Sequence, residues 1–354
     1  MSSRLFGVGI GGASITPAES RILERHPPRG VILFRRNVES TGQLRALVAD
    51  LRRRGLLVFL DQEGGPVDRL RDLLGPSISW REAVDRGAAR RAGELAGEAC
   101  AAFGVSVDLA PVVDRCVPGA SSEVLKDRSA SEDPARIARE ALAFLAGLHS
   151  RGVGGCVKHF PGLGRANLDT HVALPVIPAD RAERRRDLEP FRRTHRRARA
   201  LMVSHAAGPD GTPASLSPAV ARRLLRRTVG FRGAAFSDDL EMGALDRFGA
   251  LPERCSAAAR AGCDLLFVCS RIEEYPACVE EVERGVSRRR RAEASVRLDG
   301  YVRHVRRLER NAVPPRPLSR LKAAIARLRE SGNEGSSSAR TASAGARPLP
   351  ETAR

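Results

Sequence analysis

The chain has 354 residues, 42% of them hydrophobic and 29% charged, which excludes a wholly disordered protein. It has no run of about 18 apolar residues that could span a membrane, and its seven cysteines form no C-x-x-C pair, against a disulfide framework or a structural zinc site. The net charge of +18 invites a nucleic-acid partner, but Lys126, Lys158 and Lys322 are the only lysines, aromatics are only 4%, and the arginines spread over many helical segments (Arg184 to Arg186, Arg222 to Arg227, Arg288 to Arg291), so we read solvated helix faces and no nucleic acid.

The first apolar run, Leu5 to Ile10, is short and glycine-rich and lacks the h-region and cleavage site of a leader. It is expected to be a strand, and free cysteines without an export signal point to the cytoplasm. Gly7-x-Gly9-x-Gly11-Gly12 does not match the G-x-G-x-x-G turn of an open nucleotide-binding sheet and reads as a tight strand end. Further short, nearly continuous apolar runs follow at Val31 to Phe34, Leu56 to Leu60, Val105 to Leu109, Val153 to Val157, Leu201 to Val203, Ala234 to Phe236 and Asp264 to Val268, as strands buried on both faces should be. Helical periodicity fills the gaps, for example Gln43 to Arg53, Arg81 to Phe103, Ala135 to Leu148, Pro218 to Arg227 and Pro252 to Ala261. Asp133 before Pro134 and Ser217 before Pro218 are helix starts with proline at the first helical position.

Eight strand-then-helix units make an α/β protein of the TIM (β/α)8 barrel type, with an open doubly wound sheet as the alternative. The barrel is expected over 1–287 and two arginine-rich amphipathic helices over 288–330. A tail over 331–354, with almost no large apolar residues, is expected to be disordered.

In such a barrel the strand ends carry the site. The third strand runs into Asp61-Gln62-Glu63-Gly64-Gly65. The fourth ends near Asp114, and its loop carries Asp127-Arg128. The fifth runs into Lys158-His159 and continues to Asp169-Thr170-His171, the sixth ends at Ser204-His205, and the seventh at Ser237-Asp238-Asp239. On an extended segment only one of Asp238 and Asp239 faces the axis, as a nucleophile or a metal ligand. Asp169 and His171, two apart, face one side, and a carboxylate that holds an imidazole makes a general acid/base dyad. Lys158, His159 and Arg128 are donors for hydroxyls or a carboxylate, and Asp61 can accept from neighbouring hydroxyls.

The segment from Lys158-His-Phe-Pro-Gly to Asp169-Thr-His171, with Leu174-Pro175 after it, resembles the signature of family 3 glycoside hydrolases, and more narrowly that of bacterial β-N-acetylglucosaminidases of peptidoglycan recycling. Asp61-Gln-Glu-Gly-Gly with Arg69-Leu70, Asp127-Arg128-Ser129 with Asp133-Pro134, Met202 to His205, Ser215 to Pro218 and Phe236 to Gly243 follow in the same order over roughly residues 5 to 285. The resemblance implies a single barrel domain and a retaining, two-step hydrolysis without cofactor or metal. It casts Asp238 as nucleophile and His171, oriented by Asp169, as acid/base. Asp61, Arg69, Arg128, Lys158 and His159 match sugar-binding positions, and His205 has a supporting role. The substrate expected is a small carbohydrate that contains N-acetylglucosamine.

The chain departs from that family where Leu163 replaces a usual histidine, Pro66 a frequent arginine and Ala130 a frequent aromatic residue. Leu163 bears on how the loop carrying the dyad is anchored. Two other readings use the same residues: a metal-dependent barrel hydrolase with His159, His171, His205 and Asp238 as ligands, and a barrel that binds sugar without turning it over.

Overall fold

The computed structural model describes residues 2–117, 125–165, 180–208 and 210–331; the dyad Asp169–His171 and the tail from residue 332 lie outside the described residues. Its strands are β1 (Phe6–Gly9), β2 (Gly30–Leu33), β3 (Leu57–Leu60), β4 (Gln62–Gly64), β5 (Val67–Asp68), β6 (Val107–Asp108), β7 (Gly154–Gly155), β8 (Val157–Phe160), β9 (Ala200–Val203), β10 (Ala234–Asp239) and β11 (Leu265–Val268). Nine of them form one sheet in the order β7-β6-β3-β2-β1-β11-β10-β9-β8, and every pairing in it is parallel. Only Cys156 separates β7 from β8, so the two ends of that order are one stretch of chain. The sheet therefore closes into a barrel of eight strand positions, and β4 and β5 stand apart as an antiparallel hairpin.

All eight expected strands are present, with two shifts. The fourth shrinks to Val107–Asp108. The fifth runs on to Phe160, so Lys158 and His159 lie within a strand and not after it. Among the helices, the expected Arg81 to Phe103 divides into Trp80–Asp85 and Ala89–Phe103 at Gly87, whose φ of 64° a right-handed helix cannot contain. Asp133 caps the helix Pro134–Ser150 by accepting from the Ala135 amide at 2.9 Å. Ser217 makes no such bond, and the helix after it, Pro218–Thr228, is wound in the wider π form.

Phe59, Phe236 and Phe267, from β3, β10 and β11, meet edge to face inside the barrel with centroids 5.5 to 6.0 Å apart. Tyr301 closes it from the N-terminal end. Its ring lies 5.5 Å from Phe236, and its hydroxyl donates to the Gly155 carbonyl. Tyr301 belongs to the helix Arg288–Arg310, which shares the barrel's apolar core through Leu298 and Val305. That helix is more than a solvated cationic face. Asp264, fully buried before β11, accepts from Arg290 at 2.9 Å and Arg297 at 3.1 Å, and from Arg226 of the π helix at 2.7 Å. Glu98, likewise fully buried, pairs with Arg316 and Arg151. Part of the arginine surplus is thus internal, because a buried carboxylate must be paired. Among the described residues no helix is long and apolar enough to cross a membrane.

The first strand's glycines are a closure device. A Cβ at Gly9 would lie 1.8 Å from the Cys269 carbonyl oxygen, just past β11, and one at Gly7 would lie 2.5 Å from the Phe267 ring. Gly9→Ala is expected to lower stability by about 1–3 kcal/mol, the usual penalty of overpacking; urea unfolding reads it, and an unchanged midpoint would show that the β1–β11 seam has slack.

Candidate active site

The C-terminal ends of the strands frame a cleft of about 180 Å³ lined by Asp61, Arg69, Arg128, Lys158, His159 and Asp238, together with Glu63, Leu163 and Asp239. Six of the nine site residues read from the sequence therefore meet on one face. Asp169 and His171 are outside the described residues. His205 lies just behind the lining.

Glu63 organises the cleft. The strand alternation of Asp61-Gln62-Glu63 sends Gln62 away: its side-chain amide donates to Asp68 at 2.6 Å, its side-chain carbonyl accepts from the Leu70 amide, and its backbone amide donates to Asp108. Those bonds pin the β4–β5 hairpin, which leads into Arg69. Asp61 and Glu63 are left facing the cleft. Lys158 Nζ sits 2.6 Å from Asp61 Oδ1 and 2.6 Å from Glu63 Oε1. Arg128, from a short turn at Lys126–Arg128, grips Glu63 with two parallel bonds of 2.8 and 2.9 Å. Burial alone would raise the Glu63 carboxyl, but Arg128 and Lys158 outweigh it and hold it far below its ordinary range. In turn burial disfavours the Lys158 cation, and Asp61 and Glu63 restore and strengthen it. A buried charge set of this kind persists only when every member is paired. Arg69 stands at the rim, 3.9 Å from Asp61 and stacked over Phe34 at 5.7 Å.

Asp114 is the second organiser. It accepts from His159 Nδ1 at 2.7 Å and from the His159 amide at 3.2 Å, and its other oxygen accepts from the Leu163 amide at 2.7 Å. An Nδ1–H donor leaves Nε2 of a neutral ring as the acceptor, here 3.4 Å from Arg128. The same carboxylate thus orients a cleft imidazole and holds the backbone at the position where the sequence departs from its look-alikes. The Leu163 side chain packs with Leu125 and Ala206.

Asp238 and Asp239 both line the cleft, and the Asp239 carboxylate accepts from the Glu241 amide at 3.0 Å. The register of β10 against β11 shifts between Phe236 and Asp239, and a bulge of this sort cancels strict alternation. Burial raises the Asp238 carboxyl, but His205, His159, the Asp239 amide and Lys158 more than reverse it, so it ionises below its ordinary value. Asp239 is pushed up to about 7, by burial first and the Glu241 charge second. His205 is fully buried. Its Nε2 lies 2.7 Å from the Asp239 carbonyl and must donate; its Nδ1 lies 2.7 Å from Ser215 Oγ. Both nitrogens are spoken for, which suits a positioning role and disfavours the metal-ligand reading. Among the described residues no cluster of three His, Cys, Asp or Glu side chains could hold a metal ion.

Glu63 and Asp114 were not singled out as site residues in the sequence. The i, i+2 spacing from Asp61 was the available signal for Glu63. Asp114 could be placed at a strand end, but its contacts with His159 and Leu163 are tertiary.

Residues 10–308 match the glycosyl hydrolase family 3 N-terminal domain. The chain is 40% identical over 271 residues to the beta-hexosaminidase of Pseudomonas aeruginosa (strain LESB58), across 74% of this chain and 81% of that one. Its structure superposes with a TM-score of 0.75 on native NagZ from Neisseria gonorrhoeae, at 29% identity over 92% of this chain and 97% of that one. It superposes with a TM-score of 0.82 on a glycoside hydrolase family 3 beta-N-acetylglucosaminidase from Paenibacillus sp. str. FPU-7, at 28% identity over 92% and 67%.

Removing the shared anion leaves Lys158 with Asp61 alone and takes the bidentate carboxylate from Arg128, so Glu63→Gln is expected to lower stability by about 3–5 kcal/mol, as for other buried pairs broken on one side, and denaturant unfolding measures this. A separate test concerns Asp108, below the cleft. Among the described residues its Oδ2 has no hydrogen-bond partner, and burial pushes its carboxyl from 3.8 up to about 8. The folded state therefore binds a proton that the unfolded state has released, and stability falls as pH climbs from about 4 to about 8. Asp108→Asn should flatten that limb of the melting-temperature profile; parallel wild-type and variant profiles would show that this carboxyl does not titrate there.

Proposed function

Because the chain belongs to glycosyl hydrolase family 3 and is a glycoside hydrolase with β-N-acetylhexosaminidase activity, we propose that it removes terminal β-linked N-acetylglucosamine from peptidoglycan fragments in the cytoplasm by a retaining, two-step route. In the first step Asp238 attacks the anomeric carbon, the glycosidic C–O bond breaks, and His171, oriented by Asp169, gives its proton to the leaving oxygen. In the second step His171 takes a proton from water, the water oxygen bonds to the anomeric carbon, and Asp238 leaves as a carboxylate. Lys158, Asp61, Arg128, His159 and Arg69 bind the sugar's polar groups, and His205 holds the strand end that bears Asp238.

The observation that carries this reading is the ionised Asp238 on the wall of the cleft. Its neighbours keep it anionic, as a nucleophile facing an oxocarbenium-like transition state requires. The peptidoglycan substrate rests on the resemblance of the Lys158–His171 segment to recycling enzymes. The cytoplasmic assignment is supported by seven cysteines that all carry free thiols, as a reducing compartment would keep them.

Hydrolysis of a nitrophenyl N-acetyl-β-glucosaminide by wild type, Asp238→Ala and His171→Ala tests the roles. We expect turnover that chelators leave unchanged, near-complete loss in Asp238→Ala, and a fall in kcat of about 10²–10⁴-fold in His171→Ala, the size of a general acid/base contribution. A 2-fluoro sugar should leave a covalent adduct on Asp238 by mass spectrometry. An inert wild type, or an Asp238→Ala variant as active as wild type, would end the reading.

A further inference from the structure

At the N-terminal end of the barrel, opposite the cleft, a cavity of about 720 Å³ opens between the segments leading into β9 and β10 and the helix Arg288–Arg310. Arg196, Arg199, Arg232 and Arg297 line it with His195, and among the described residues no carboxylate lines it. Arg297 is committed to Asp264. Arg196, Arg199 and Arg232 are exposed, and among the described residues no carboxylate pairs with any of them, whereas Arg226, Arg290 and Arg316 each grip a buried one.

Arg199 also holds an unusual backbone. Among the described residues it is the only non-glycine with positive φ, at 60°. Its carbonyl accepts from the Ala234 amide at 2.9 Å, so the left-handed turn is locked to the edge of β10. Glycine would sit there without strain; an arginine kept in a sparsely populated conformation is the kind of outlier that gathers at functional sites. Neighbouring imidazoles register the field. Burial and then Arg196 lower His195, and burial, Arg199 and Arg307 push His304 down to about 4.

We propose that this cavity binds a small phosphate polyanion of the di- or triphosphate kind. Three guanidinium forks without a counter-charge match phosphate oxygens bidentately, and the volume falls within the range of small-molecule sites. Among the described residues the cavity's one aromatic lining residue, Tyr301, is buried, so the cavity offers no stacking platform of the kind a nucleic-acid groove presents. Inorganic polyphosphate and a nucleoside triphosphate share this chemistry.

Calorimetric titration of the full chain with sodium tripolyphosphate, and separately with ATP, at fixed ionic strength tests the site. The expected result is saturable binding of one ligand per chain, weakened about tenfold or more in Arg196→Gln/Arg199→Gly/Arg232→Gln, with nitrophenyl N-acetylglucosaminide hydrolysis unchanged because none of the three lines the cleft. Glycine at 199 suits the positive φ; if the triple variant does not fold, Arg196→Gln and Arg232→Gln are each expected to weaken binding several-fold. Binding of both ligands assigns the site to the phosphate chain itself, and binding of ATP alone assigns it to a nucleotide. No heat beyond that of matched sodium chloride, unchanged affinity in the variants, or tighter binding of a single-stranded oligonucleotide at the same arginines would overturn the proposal.

Discussion

A buried anion shared between two cations sets the geometry of the cleft. Glu63 is held at 2.6 Å by Lys158 and doubly by Arg128, and Lys158 also reaches Asp61. These side chains come from three separate strand ends or loops, so the charge set fixes the relative positions of β3, β8 and the loop after β6. In a low-dielectric site such pairing is close to all-or-none, because any unmatched member would carry a large desolvation penalty. The donors that face the cleft are therefore fixed before any ligand arrives, the condition for binding without reorganisation.

The opposite end of the barrel uses the same principle with the signs exchanged. There the buried anion is Asp264, and Arg226, Arg290 and Arg297 converge on it. This ties the arginine-rich helix Arg288–Arg310 to the barrel and seats Tyr301 under the phenylalanine cluster. Next to this clasp Arg196, Arg199 and Arg232 line the basal cavity, and among the described residues no carboxylate pairs with them. Position relative to one buried aspartate thus separates structural arginines from available ones on the same face.

Between these ends, neighbouring acids acquire different characters from their surroundings alone. Asp238 is ionised below its ordinary value by two imidazoles, an amide and a lysine. Asp239, one residue on, is pushed up to about 7 by burial and by Glu241, and Asp108 is pushed up to about 8 by burial. His205 bonds to the Asp239 carbonyl, and Asp114 locks His159; both imidazoles help to hold Asp238 below its ordinary value.

Much of this was legible in the residues. Eight apolar runs of strand length, each followed by helical periodicity, specify a parallel α/β sheet and match the count of a barrel, because a strand buried on both faces cannot alternate, and strand ends identify where polar residues gather. Asp61, Lys158, His159 and Asp238 could be placed on one face for that reason. The pairing of Glu63 with Lys158 and Arg128, the grip of Asp114 on His159 and Leu163, and the burial of Arg290 against Asp264 could not, because each joins residues tens to scores of positions apart and depends on which strand neighbours which. Local inference failed where the backbone departs from its period: the helix expected over Arg81 to Phe103 breaks at Gly87, whose φ is 64°, and Ser217 makes no capping bond. Local periodicity is written in neighbouring residues, so the chain alone determined its elements and the end of the barrel where chemistry sits. Ionisation states and side-chain partners depend on distance and dielectric, and only the closed barrel supplies those.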